Sequence, residues 1–158
     1  MDAPTNAYDA DCSGEGWPEG VRGVRLLERP RGTRLVSAVW ELDPGAAAPH
    51  YHLHHATEEL LVVLRGTATL RTPDGERTLP EGEVAHFPRG AAGAHQVLNR
   101  SGQTLRYLMV AAHSTLDVVE YVDEGTAVVY SHAASFLGER GLHFEHSVRG
   151  STGTGGGE

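Results

Sequence analysis

Nine short apolar or alternating runs, set apart by turn-forming residues, constrain this chain more than any other feature. They are Val24–Leu27, Leu35–Leu42, Leu60–Leu64, Thr67–Arg71, Val84–Phe87, His95–Leu98, Leu105–Ala111, Val118–Val122 and Ala127–Tyr130. Short runs at close spacing, with no long amphipathic helical pattern, predict an all-β sandwich or barrel. The turn chemistry agrees. Pro73-Asp74-Gly75 lies between TATLRT and ERTL, where proline presets φ and glycine accepts a positive φ, as a tight hairpin needs. Gly66 ends the run LLVVL, and Pro44-Gly45 and Pro88-Arg89-Gly90 reverse the chain ahead of two histidine-bearing stretches. No internal repeat is present, so one barrel is expected rather than a duplicated pair.

Those two stretches, PHYHLHHATEELLVVLRG (49–66) and GEVAHFPRGAAGAHQVLN (82–99), carry the chemistry. Side chains two apart on a strand share a face, so His52 and His54 can aim at one point. Glu59 from the first stretch and His95 from the second complete three imidazoles and one carboxylate, a set suited to a single metal ion. Glu58 competes with Glu59 for the carboxylate place, the other one facing solvent. The same alternation puts His50 beside His52 and His54, as a candidate proton carrier or as an idle residue at the pocket mouth. His55 is expected to point away. The plain alternative for the three histidines is satisfied polar residues inside a barrel.

Composition narrows the function classes. The 158 residues suit one domain with a substantial core. A net charge of −8 leaves no basic footprint for nucleic acid. All thirteen basic residues are arginines, which rules out Schiff-base chemistry on a lysine. The single cysteine, Cys12, permits neither an internal disulfide nor a thiolate cluster. No run approaches the ~20 apolar residues of a membrane span, and the N-terminus lacks the parts of a signal peptide, so a cytoplasmic location is expected. The organisation expected is a polar arm over 1–20, a β-rich domain over 21–130, and an extension over 131–158 ending in the low-complexity, mobile GSTGTGGGE.

The residues of the two stretches resemble the cupin motifs. The first motif matches as His52-Leu53-His54, four residues, Glu59, six residues and Gly66, with the preceding Gly45 one residue further from His52 than is usual. The second matches at Gly82, Pro88, Gly90, His95 and Asn99, except that four residues rather than two separate Gly90 from His95. That insertion, GAAGAH, is similar to one in small bacterial single-domain cupins. YVDEG at 121–125 departs from the YPDSG-like stretch of that group. The resemblance implies a conical β-sandwich of two antiparallel sheets with a metal near its centre held by His52, His54, Glu59 and His95. The spacing to Gly66 favours Glu59 over Glu58, and Asn99 is expected to fix a turn.

Three imidazoles and a carboxylate suit Fe, Mn, Ni, Cu or Zn, whereas Mg and Ca prefer oxygen shells. Six-coordination would leave two open positions, the mark of a catalytic rather than a structural site. Cupins with this ligand set include dioxygenases, decarboxylases, isomerases and cyclases. The expectation is therefore an enzyme acting on a small, partly apolar organic molecule, with oxygenase chemistry first and non-oxidative chemistry second. A non-catalytic binding module is the rival outside enzymes. Exposed strand edges make a homodimer the expected assembly, with the N-terminal arm crossing to the partner.

Overall fold

The computed structural model describes residues 5–13, 16–27 and 34–130, together with the backbone of residues 131 and 143–147. Its elements are β1 (Val21–Arg25), β2 (Leu35–Leu42), β3 (His52–His54), β4 (Glu58–Arg65), β5 (Thr67–Thr72), β6 (Gly75–Pro80), β7 (Val84–Phe87), β8 (Gln96–Leu98), β9 (Leu105–Ala112), β10 (Leu116–Tyr121), β11 (Thr126–Ser131) and β12 (His143–Ser147). A single 3-10 turn, Ala91–Gly93, precedes β8. The expected all-β class is what forms. Among the described residues no helix is long and apolar enough to cross a membrane.

One layer is a five-stranded antiparallel sheet in the order β1-β2-β9-β4-β7. The other is built from two ladders, β12-β11-β10-β3 and β6-β5-β8. The isolated bridge His52↔His95 joins these ladders into one face, and a second, Ala47↔Leu98, ties β8 to the segment that leads into β3. The seam between them therefore runs through two of the histidines singled out by sequence.

The core follows from period-two alternation. In β4, Leu61 and Val63 are buried and share a face with Glu59. They pack with Leu42, Leu70, Val97, Leu105 and Phe87 between the layers. Burying a leucine this fully contributes about 2 kcal/mol. Leu61, Val63 and Val97 are thus core residues. Glu59 stands at the end of that apolar stripe, where the core gives way to the histidines.

Three features of the fold add to what the apolar runs alone predict. The segment after the Pro73-Asp74 turn is a full strand, β6, although only Leu79 of GERTLP is buried. It is an edge strand held by its pairing with β5, so it carries no apolar alternation to read. The sheet also continues past residue 130, since β12, from the C-terminal extension, pairs with β11. The ending GSTGTGGGE lies outside the described residues.

Thirdly, residues 5–13 lie against the outer face of the chain's own five-stranded sheet. Buried Arg106 donates from Nε to Ala7 O (3.0 Å) and from Nη2 to Ala10 O (2.6 Å), and its Nη1 meets Glu41 Oε1 at 2.6 Å. These bonds press Cys12 against Val39 and Leu64. A polar segment is thereby anchored through its backbone carbonyls, which composition does not reveal.

Candidate metal centre

β3 begins only at His52, because His50 takes a left-handed φ of 61°, unique among the described non-glycine residues. The strand is fixed on both sides. His52 exchanges both backbone hydrogen bonds with His95 (3.1 and 2.9 Å), and His54 stands opposite Val119 of β10. His52 and His54 consequently share a face, as the spacing implies, and His95 is brought up beside them, its ring 4.6 Å from that of His52. Glu59 approaches from the opposite layer.

Four donor atoms meet there. Nε2 of His52, His54 and His95 lie 3.8, 3.5 and 3.4 Å from Glu59 Oε2. The ligand atoms of His52, His54 and Glu59 all fall within 4.8 Å of one another. Each imidazole turns its other nitrogen to an acceptor: His52 Nδ1 to His50 O (3.2 Å), His54 Nδ1 to Asp117 Oδ2 (2.7 Å) and His95 Nδ1 to Gly93 O (2.9 Å). Carbonyl and carboxylate oxygens only accept, so Nδ1 must carry the proton and Nε2 of each neutral ring presents a lone pair. In the neutral form of each ring, a lone pair then faces the same carboxylate oxygen. Glu59 Oε2 and His95 Nε2 are correspondingly buried without a hydrogen-bond partner. Buried orphans of this kind are costly unless something positive stands between them. Donors sharing one ion at ~2.1 Å stand ~3.0 Å apart at right angles and ~3.4 Å apart in a tetrahedron. The three separations from Glu59 Oε2 are close to such a set, while the group whose ligand atoms all lie within 4.8 Å of one another is His52, His54 and Glu59, with His95 reaching it through Glu59.

Electrostatics favour the metal-ready state at two of the rings. Burial, reinforced by the neighbouring His54, pushes His52 down to about 4, and burial with His52 pushes His95 down to about 3. Both are neutral around pH 7, as a metal ligand must be. At His54 burial acts downwards too, but the hydrogen bond to Asp117 and the charges of Glu59 and Asp117 outweigh it and raise the pKa. Burial raises Glu59, against the pull of His54. Side-chain exposure falls from 22% at His52 to 2% at His95, so the cluster opens on the His52 side.

Neighbouring groups hold this arrangement. Phe87 stacks flat on His95, centroids 3.7 Å apart and planes 8° from parallel. The GAAGAH insertion forms the 3-10 turn, and its Gly93 both accepts from His95 and passes so near Pro88 that a Cβ there would lie 1.7 Å from Pro88 O. Asn99 is fully buried. Its amide donates to Leu42 O and Gln103 O while its oxygen accepts from Ser101, the turn-fixing role expected of it.

The family model for the cupin domain matches residues 38–111, which span β2 to β9 and all four of these side chains. The chain carries a cupin domain. Solved structures agree in fold. A sugar phosphate isomerase from a cupin superfamily of Silicibacter pomeroyi is 25% identical with a TM-score of 0.68, over 82% of this chain and 77% of that one. The polyketide cyclase RemF from Streptomyces resistomycificus is 28% identical with a TM-score of 0.59, over 72% and 81%. A Cupin 2 conserved barrel domain protein from Salinispora arenicola, 19% identical over 72% and 89% with a TM-score of 0.54, shares the fold. No curated protein matches the chain in sequence.

Other side chains of this cupin fall outside the cluster. Glu58 faces out, pairing with Arg89 at 2.9 Å, which leaves Glu59 as the inward carboxylate. His55 is exposed and meets Glu120 at 2.6 Å. His50 does not extend the strand face of His52 and His54. Its left-handed backbone breaks the alternation, and its half-exposed ring stacks on Tyr121 and pairs with Glu124 at 2.6 Å. His132 and the side chains of His143 and His146 lie outside the described residues. Sequence reasoning missed Asp117 and the stacking role of Phe87. One signal for Asp117 existed: a carboxylate in phase with apolar Val119 inside a strand-like run, where aspartate is rare.

Proposed function

We propose that His52, His54, Glu59 and His95 hold one divalent transition metal, and that the protein is a metal-dependent enzyme acting on a small, partly apolar organic substrate. The observation that carries this is the convergence of three Nε2 lone pairs on Glu59 Oε2, two of these buried atoms having no other partner. Nitrogen-rich donors favour Fe, Mn, Ni, Cu or Zn over Mg or Ca. When bound, such an ion supplies Lewis acidity towards a carbonyl or hydroxyl oxygen.

The chain's own residues set the rest. The opening on the His52 side admits a small molecule, while Phe87 and His95 close the inner wall. No arginine hydrogen-bonds or ion-pairs with any of the four side chains among the described residues, and Arg89 and Arg71 are engaged by Glu58 and Asp123. A neutral carbonyl compound therefore suits the site better than a phosphorylated sugar. The two similar enzymes, named as an isomerase and a cyclase, favour rearrangement or ring closure without net oxidation. Oxygenase chemistry, the first expectation from sequence, is the second reading, supported by the open ligand set alone. His50, engaged with Glu124, is assigned no proton transfer.

Metal analysis of protein purified without an affinity tag tests the site: about one ion per chain is expected, with a sharp fall in His52→Ala and His95→Ala. Unchanged metal content in both variants rejects it. Product formation and oxygen uptake, followed across phenolic, dicarbonyl and carboxylic compounds with Fe, Mn, Ni or Zn loaded, then separate the reactions. Turnover without oxygen uptake supports the main reading, stoichiometric uptake the oxygenase, and binding without turnover a non-catalytic module.

A further inference from the structure

Two of the three ring–acceptor pairs around the cluster use backbone carbonyls; the third uses a charge. Asp117, on β10, is 2% exposed and reaches His54 across the β3–β10 pairing, 63 residues away in sequence. Its Oδ2 accepts from His54 Nδ1 at 2.7 Å and its Oδ1 from the backbone N–H of Ala56 at 2.8 Å. Both oxygens are thus committed to donors. A buried carboxylate whose two oxygens both accept in this way fixes which nitrogen of His54 carries the hydrogen.

We propose that Asp117 is a positioning residue for the metal centre: it holds His54 in the tautomer whose Nε2 is a lone-pair donor, and so sets the site's affinity for a divalent cation. This deepens the function proposed above and rests on it. Glu59 and Asp117 together bring two negative charges to a divalent ion. Acidic partners behind ligating imidazoles orient the ring and raise its basicity, and their loss costs ~10–100-fold in metal affinity.

Asp117→Asn separates this role from simple packing. The amide matches the carboxylate in shape but has one acceptor oxygen. That oxygen is taken by the Ala56 N–H, which cannot be reversed, so the NH2 faces His54 Nδ1. His54 answers by accepting there and moving its proton to Nε2, which then points at Glu59 Oε2 and has to give that proton up before Nε2 can bind a metal.

Two measurements test the proposal on the full-length protein. Zn2+ affinity, by competition with a chromophoric chelator, falls ~10–100-fold in Asp117→Asn. In a His54→Ala background the same substitution costs less than about threefold, because interacting pairs are non-additive. Nitrogen-15 shifts of the His54 ring in metal-free protein at alkaline pH report Nδ1–H in the wild type and Nε2–H in Asp117→Asn. Wild-type affinity in Asp117→Asn, an undiminished loss in the His54→Ala background, or an unmoved ring proton overturns the proposal. A wild-type protein that binds no Zn2+, Fe2+, Mn2+ or Ni2+ yet shows the tautomer switch overturns the proposed function, and with it only the affinity half of this inference. Should Asp117→Asn not fold, the wild-type spectrum still decides: a neutral His54 carrying its proton on Nε2 refutes the proposal.

Discussion

Replacing Gly93 by alanine isolates what the GAAGAH insertion does for His95. A Cβ built on Gly93 lies 1.7 Å from Pro88 O, 2.8 Å from Pro88 C and 3.1 Å from Pro88 N, all backbone atoms that no side-chain rotation can move. Ordinary carbon–oxygen contact begins near ~3.3 Å, so the 3-10 turn and the Pro88 segment must separate by roughly 1.5 Å. Overpacking of a rigid interior costs ~1–3 kcal/mol, and this clash belongs at the upper end because both partners are backbone. The displacement acts directly on the cluster, since Gly93 O accepts the His95 Nδ1 hydrogen at 2.9 Å and β8 starts within three residues. Moving His95 Nε2 by even 1 Å against metal bonds of ~2.1 Å removes one ligand from the set. Gly93→Ala is therefore expected to unfold about 3 kcal/mol more easily in urea and to lose at least ~10-fold in Zn2+ affinity measured by chelator competition. Gly102→Ala is the control, because a Cβ there meets nothing within 4 Å. A Gly93→Ala protein with wild-type stability and wild-type metal affinity would refute the steric reasoning; lost stability with affinity intact would refute the claim that the turn positions His95.

Three further outcomes follow from other parts of the fold. In metal-free protein, the folded-state values of about 4 for His52 and about 3 for His95 lie below the ~6.5 of the unfolded chain, so their contribution is complete above pH ~6.5 and is lost as pH falls towards 4. His54 and Glu59, both raised in the fold, act in the opposite direction, so the share of the two lowered rings is read as a difference: over that window the melting temperature of the wild type should fall more steeply than that of His95→Gln. Burial holds the Cys12 thiol above its usual pKa, so a thiol reagent should label it slowly, and Arg106→Met, which releases the carbonyls of Ala7 and Ala10, should speed labelling ~10-fold for each ~1.4 kcal/mol of lost local stability. Zn2+ should slow hydrogen exchange most at the amides of His52 and His95, which bond across the seam; uniform slowing over the whole sheet would show that the ion does not act there.

How much of this was legible in the sequence depended on the range of the interactions involved. His52, His54 and Glu59 fall within eight residues, and a period-two strand with a fixed spacing to Gly66 is enough to place them. His95 was reachable because a turn signal, Pro88 to Gly90, marks its approach. Asp117 could be marked only as an unusual carboxylate in phase with Val119; that it meets His54 depends on the pairing Val119↔His54, a register that no local pattern encodes. His50 shows the opposite failure. Alternation was carried two residues too far, past a left-handed backbone that an imidazole–carboxylate pair with Glu124 and a stack on Tyr121 hold in place. β6 was legible only as the far arm of the Pro73-Asp74-Gly75 hairpin, because an edge strand needs backbone partners and hardly any buried side chains.

The position of the cluster explains why the fold tolerates so expensive a group of atoms. Within the second layer, β3 belongs to one ladder and β8 to the other, and the two meet at the isolated bridge His52↔His95 instead of through a continuous strand pair. A purely apolar seam could close that gap more cheaply. Here it is occupied by three imidazoles facing a buried carboxylate, each locked by its own acceptor, at a net cost in unsatisfied polar atoms that the apolar core of Leu61, Val63, Leu70 and Leu105 must offset. Local arrangements that lower stability and persist are characteristic of functional sites. A cation bridging His52, His54 and His95 to Glu59 would turn the weakest join of the sandwich into a cross-link between both ladders and the opposing sheet, so that the same contacts which make the metal-free protein less stable would make ligand binding and folding reinforce each other.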